Sequence, residues 1–162
     1  MRLRAPRWQQ VVQLGAAYWL AGRVGYGLGE LIGHLGDRDL EKRVGQPVVE
    51  RAIFAAMTRR YDPEAGEGFR GTISFELTRP QSGGVSSWWT VSVDEDGAQA
   101  HSGRPPDRTA ALSARLPMAD FLRIAGGVID PVEPVLAGRA AVSGDLGVAV
   151  RLAEMFGAPR AR

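Results

Sequence analysis

The stretch from Phe69 to Val93 constrains the fold more than any other part of the chain. Phe69, Gly71, Ile73, Phe75 and Leu77 alternate with Arg70, Thr72, Ser74, Glu76 and Thr78. A period of two is that of a strand with one buried and one wetted face. After the turn-forming run Pro80 to Gly84 the pattern resumes, with Trp89, Val91 and Val93 on one side and Thr90, Ser92 and Asp94 on the other. The two runs read as a hairpin. Ile73, Phe75, Trp89 and Val91 give its apolar face more bulk than one sheet can bury against itself, so helices must cover it.

The flanking segments supply those helices and the remaining strands. Pro47 marks the first turn of a helix in which Val49, Ala52, Ile53, Ala56, Met57 and Tyr61 share one side, with Glu50, Arg51, Thr58 and Arg59 on the other, and Asp62-Pro63 ends it. Ala98–Ser102 and Thr109–Leu116 alternate as two more strands, joined by the turn Gly103 to Asp107. Pro117 opens a second helix with Met118, Phe121, Leu122 and Ala125 at helical spacing, closed by Gly126-Gly127. Asp130 caps a short helix carrying Val132, Val135 and Leu136. Arg139–Ser143 is a fifth strand, and Asp145 caps a last helix striped by Ala149, Leu152, Ala153 and Phe156, with Met155 beside the stripe. The expected fold is α+β: a five-stranded, mostly antiparallel sheet covered on one face by helices.

Residues 1–45 read as a separate Gly/Ala-rich helical arm and linker, residues 46–157 as the domain, and residues 158–162 as a disordered tail. In the arm, Ala17, Ala21, Gly25, Gly29 and Gly33 recur every four residues and would form a small-residue ridge on a helix. Such an arm docks on its own domain or on a second copy in a homodimer, attaches peripherally to a membrane, or spans it. Asp37 to Gly45 is charged and reads as a linker, with Asp37, Asp39 and Glu41 solvated. A cleavable secretory signal is not expected, because no small-residue cleavage site follows the apolar run.

With 162 residues and 44% hydrophobic composition, the chain can bury one core of useful size. It has no cysteine, which excludes disulfides, thiolate metal sites and a cysteine nucleophile, and is compatible with a cytoplasmic setting. The net charge is only +2, and arginines crowd the ends, so no basic stripe interleaved with aromatics marks a nucleic-acid partner. No serine stands in a Gly-x-Ser-x-Gly elbow, no phosphate loop is present, and the acidic residues lack calcium-loop spacing. His34 and His101 read as solvated or locally bonded side chains. These features imply no catalytic residue, metal or cofactor.

What remains is an unusual number of large soft side chains facing the sheet: Phe54, Met57, Phe121, Met155 and Phe156. Such side chains pack a core, and they also line a space without fixing its shape. An empty apolar void of about 500 Å³ would cost about 12 kcal/mol, as much as the stability of a whole domain. The space must therefore be collapsed, hydrated or filled.

From about Val49 to Phe156 the sequence resembles the sterol carrier protein 2 domain family. The resemblance is carried by the opening helix through Tyr61, by Gly71-Thr72-Ile73-Ser74-Phe75-Glu76-Leu77, by Trp89-Thr90-Val91 and by the Gly103–Asp107 turn. Asp120-Phe121-Leu122-Arg123-Ile124-Ala125-Gly126-Gly127, Gly138 and Val142-Ser143-Gly144-Asp145 complete it. It implies a hydrophobic tunnel and non-enzymatic binding or transfer of sterols, fatty acids, acyl-CoA or phospholipids, with an apolar lipid as the partner. The expected lining is Ile73, Phe75, Trp89, Val91 and Leu112 from the sheet, with Phe54, Met57, Phe121, Leu136, Leu152 and Phe156 as cover. The alternative is an interaction or scaffold protein with a filled core, associating through its arm.

Overall fold

The computed structural model describes residues 29–30, 32–106 and 109–157. The expectations for residues 1–28, for Asp107 and for the tail 158–162 lie outside the described residues. In chain order the elements are a short helix α1 (Asp37–Asp39) continuing as a π-helical turn over Leu40–Val44, then α2 (Pro47–Arg59), β1 (Gly71–Thr78), β2 (Ser87–Asp94) and β3 (Gly97–Ser102). β4 (Leu112–Pro117), α3 (Met118–Ala125), α4 (Glu133–Leu136), β5 (Ala141–Gly144) and α5 (Leu146–Met155) follow. The strand order is β3-β2-β1-β4-β5.

The alternating run forms the expected hairpin, with Ile73 opposite Val91 and Phe75 opposite Trp89. β1 also pairs with β4 in parallel, Ile73 opposite Leu112 and Leu77 opposite Leu116. The sheet is thus mixed at its centre, and its other pairings are antiparallel. A parallel neighbour needs a crossover connection, and β3 and the long loop after it provide one. Ile73, Leu77, Val91 and Leu112 are fully buried, and they share one core with Phe54, Phe121, Val148 and Met155 of the covering helices. Asp145 caps α5 as its position in the sequence implies, accepting from the Gly147 and Val148 amides at 2.9 and 3.2 Å.

Several parts of the chain depart from the sequence reading. Asp130 accepts from the Val132 amide but does not cap α4, whose N-cap is Val132, and Ser74, expected on the wetted face, is buried. Asp37–Gly45 is not a solvated linker: Leu40 and Val44 are core residues, and the buried Glu41 carboxylate accepts from the Gln81 amide and the Ser82 hydroxyl. The wide π turn, closed by the Gly45 amide on the Leu40 carbonyl, lets all three side chains point inward. Thr90, expected on the wetted face, is buried, because the chain after β3 folds over it and the Gly103 carbonyl accepts its hydroxyl at 2.8 Å. Glu50, assigned to the outer side of its helix, is also buried, for reasons given below.

The described end of the arm packs on its own domain. Ile32 is buried, and Gly29 and Gly33, the last two members of the small-residue ridge, lie against Gly126 and Val128 just beyond α3. Arg123 of α3 fastens the same segment, donating to the Leu35 carbonyl and pairing with Asp37 at 2.6 Å. A Cβ on Gly29 would stand 2.6 Å from the Gly126 carbonyl oxygen, so backbone must move to admit it. Alanine improves helix propensity by about 1 kcal/mol, but overpacking costs about 1–3 kcal/mol. Gly29→Ala is therefore expected to be net destabilising, with faster amide exchange at Ile32 to Leu35 measured by mass spectrometry. Unchanged exchange would show that this contact does not hold the arm.

Candidate functional site

α2 begins at Pro47, whose fixed φ suits a first helical turn. Four residues apart on one face of it, Glu50 and Phe54 both turn inward. The Phe54 ring stacks on Trp89 of β2, with centroids 4.5 Å apart and planes within 9°. On another side it stacks on Phe121 of α3 at 5.2 Å, and it meets the edge of Phe75 of β1 at 5.5 Å. These rings form one aromatic layer between sheet and helices, and such pairs add to the stability that burial alone provides. At the other end of the core, Phe156 contacts Tyr61 at 5.7 Å, and the Asp62 amide donates to the Met155 carbonyl, tying the end of α2 to the end of α5.

Of the residues expected to line a tunnel, Phe54, Ile73, Phe75, Trp89, Val91, Leu112, Phe121 and Phe156 are buried together in the core, and Met57 and Leu152 pack against it. Leu136 is the exception and is 82% exposed. A four-residue helix turns only one side inward, and in α4 that side is Pro134. The aromatic layer is closed by ring-to-ring contact, so Phe54 occupies the middle of the expected cavity.

Trp89 is held by a polar cluster that sequence periodicity did not reveal. Its indole N–H donates to Glu50 Oε2 at 2.7 Å, and the Ser87 hydroxyl donates to Oε1 at 2.9 Å. Arg79 pairs with the same carboxylate and donates to the Gly45 carbonyl at 2.8 Å. Asp120 on α3, buried like Glu41 and Glu50, accepts from Arg139 Nε at 2.9 Å. Glu50 and Asp120 are paired with arginines, whereas the buried Glu41 is satisfied by the neutral Gln81 amide and Ser82 hydroxyl.

A groove of about 340 Å³ lies between α2 and the edge strand β3. Arg51, Ala55, Thr58 and Arg59 of the helix line it, with Trp89, Ala98, Gln99, Ala100 and His101 of the sheet. The sequence puts the two arginines on the side of α2 opposite its apolar residues; only the edge position of β3 brings them over a pocket. Among the described residues no group of three or more His, Asp or Glu is placed to hold a metal ion. No helix of these residues is long and apolar enough to cross a membrane.

The sequence model of the SCP-2 sterol transfer family matches residues 53–157, more than half of the chain. The chain belongs to that family. The fold agrees with the sterol carrier protein domain 2 of Helicoverpa armigera, with a TM-score of 0.53 and 18% identity over 70% of this chain and 91% of that one. It agrees equally with palmitated SCP2L2 from Aedes aegypti, at TM-score 0.53 and 20% identity over 71% and 96%. Among curated proteins it is similar to the hydroxysteroid dehydrogenase-like protein 2 of Danio rerio, 26% identical over 110 residues. The chain spans 68% of its own length in that match but only 25% of the relative's. An SCP2 domain supports lipid binding in general terms.

Proposed function

We propose that this SCP2 domain binds, and hands on, a lipid with a long apolar tail: a sterol, fatty acid, acyl-CoA or phospholipid. The observation that carries the proposal is the layer of Phe54, Phe75, Trp89 and Phe121, which has helices on one side and sheet on the other and is held by contact alone apart from the Trp89 indole N–H. The tail takes the place of these contacts, lying among Ile73, Phe75, Trp89, Val91 and Leu112 below and Phe54, Met57, Phe121, Leu152 and Phe156 above. Leu136 is left out of the lining because of its exposure. A collapsed layer is one of the states a costly void permits, and a tail of about 16 methylenes, at about 0.8 kcal/mol each, can offset association costs of about 4–15 kcal/mol. The palmitated relative fits a guest of this kind.

The reading is of a carrier and not of an enzyme. A second reading, an interaction protein with a permanently filled core, draws support from the same ring contacts. Native mass spectrometry of protein purified from its own host, followed by titration of the delipidated chain with fatty acids, separates the two. The carrier retains or takes up one lipid per chain; protein that stays lipid-free and ignores every fatty acid is a scaffold. Truncations that probe the arm must stop before Gly29, because Ile32, Leu40 and Val44 belong to the core.

A further inference from the structure

We propose that the groove between α2 and β3 is the headgroup end of the lipid site, and that it takes an anionic group on Arg51 and Arg59. This inference rests on the lipid-binding reading and adds to it the charge of the ligand and the place of its polar end.

Its first support is charge. Arg51 and Arg59 stand two helical turns apart on α2, on either side of Ala55, and all three line the groove. Neither arginine has an ion pair or hydrogen bond among the described residues, whereas Arg79, Arg123 and Arg139 are all paired with carboxylates. No acidic residue lines the groove. Two unpartnered guanidinium groups over one concave surface form a site for a carboxylate or phosphate.

The second support is backbone. β3 is the edge of the sheet. The Gly103 amide donates to the Trp88 carbonyl at 2.7 Å, and in an antiparallel ladder hydrogen-bonded pairs alternate. Thr90–His101 and Ser92–Gln99 are then hydrogen-bonded pairs, so Ala98 and Ala100 turn their N–H groups toward the open edge, beside the groove. These amides add donors of the same sign to the arginines.

The third support is continuity. Trp89 lines the groove and also stacks on Phe54 in the core, so one indole separates the polar pocket from the apolar layer. The groove lies at the small end of the roughly 300–1,000 Å³ range of ligand pockets. It suits a headgroup and the first part of a chain, with the rest passing Trp89 inward.

Calorimetry with matched probes tests the assignment. Dodecanoate and dodecyl phosphate should bind at least tenfold more tightly than methyl dodecanoate, which has the same tail without the charge. Arg51→Gln with Arg59→Gln should abolish that preference and leave the ester's affinity unchanged; both side chains are exposed, and an unchanged thermal midpoint confirms the fold. Equal binding of acid and ester, or a preference that survives the double substitution, overturns the headgroup assignment while leaving the lipid reading intact. Acetate or inorganic phosphate binding as tightly as dodecanoate, and lost in the double variant, also overturns it, because the groove is then a site for free anions. If neither dodecanoate nor its ester binds, the lipid reading fails as well.

Discussion

Replacing Glu50 by alanine should destabilise the domain by about 3–5 kcal/mol in urea unfolding, the cost of leaving a buried charge without its partner. The carboxylate is only 3% exposed and serves three donors: Trp89 Nε1, Ser87 Oγ and the Arg79 guanidinium, whose side chain is itself 14% exposed. Alanine leaves the indole N–H and the Ser87 hydroxyl proton without this acceptor, and the Arg79 charge without its counter-ion, in a region that water reaches poorly. The two backbone acceptors left to Arg79, the carbonyls of Gly45 and Val85, satisfy its hydrogen bonds but not its charge. Replacing both Glu50 and Arg79 by apolar residues should cost less than the sum of the single changes, because no lone charge then remains. A loss below about 1 kcal/mol for Glu50→Ala would show that water reaches the pair and that it does not hold Trp89 in place.

Phe54→Ala has a comparable effect on stability and a further effect on binding. Phe-to-Ala changes in cores cost about 3–5 kcal/mol, and Phe54 is fully buried against three other rings. The void that remains is bounded by Phe75, Trp89 and Phe121. If this is where a lipid tail lies, Phe54→Ala removes the group that must move to admit it. The variant should then bind a fatty acid more tightly than the parent chain and regain stability with it, by about 2.7 kcal/mol at a ligand concentration of a hundred times Kd. Thermal unfolding with and without fatty acid measures both quantities. A variant that is destabilised but gains nothing from fatty acid would move the tail out of the aromatic layer.

How much of this could be read beforehand depended on how local the cause was. The β1–β2 hairpin was visible because alternation over Phe69–Val93 is a property of neighbouring residues, and the register found pairs the expected apolar side chains. Asp145 could be recognised as a cap for the same reason, since the amides that donate to it lie within three residues. Glu50 was misplaced because its partners are 29 to 39 residues away, and a helical period cannot see them. One local signal was present: Glu50 lies four residues before Phe54, on the face that α2 buries. Asp37–Gly45 misled in another way, since its charged composition resembles a linker while the widened turn buries Leu40, Glu41 and Val44.

The sequence by itself determined the membership of the family, the alternating strands, the Asp145 cap and most of the apolar side chains that meet in the core, because each follows from residue type and short spacing. Tertiary structure alone decided that β1 lies parallel to β4, that Arg79 neutralises Glu50, that Leu136 faces outward, and that Arg51 and Arg59 overlook a groove at the sheet's open edge. The physical reason is common to all four. Each depends on which surfaces come together across long stretches of chain, and that is set by the packing of the whole core, to which no short run of residues has access.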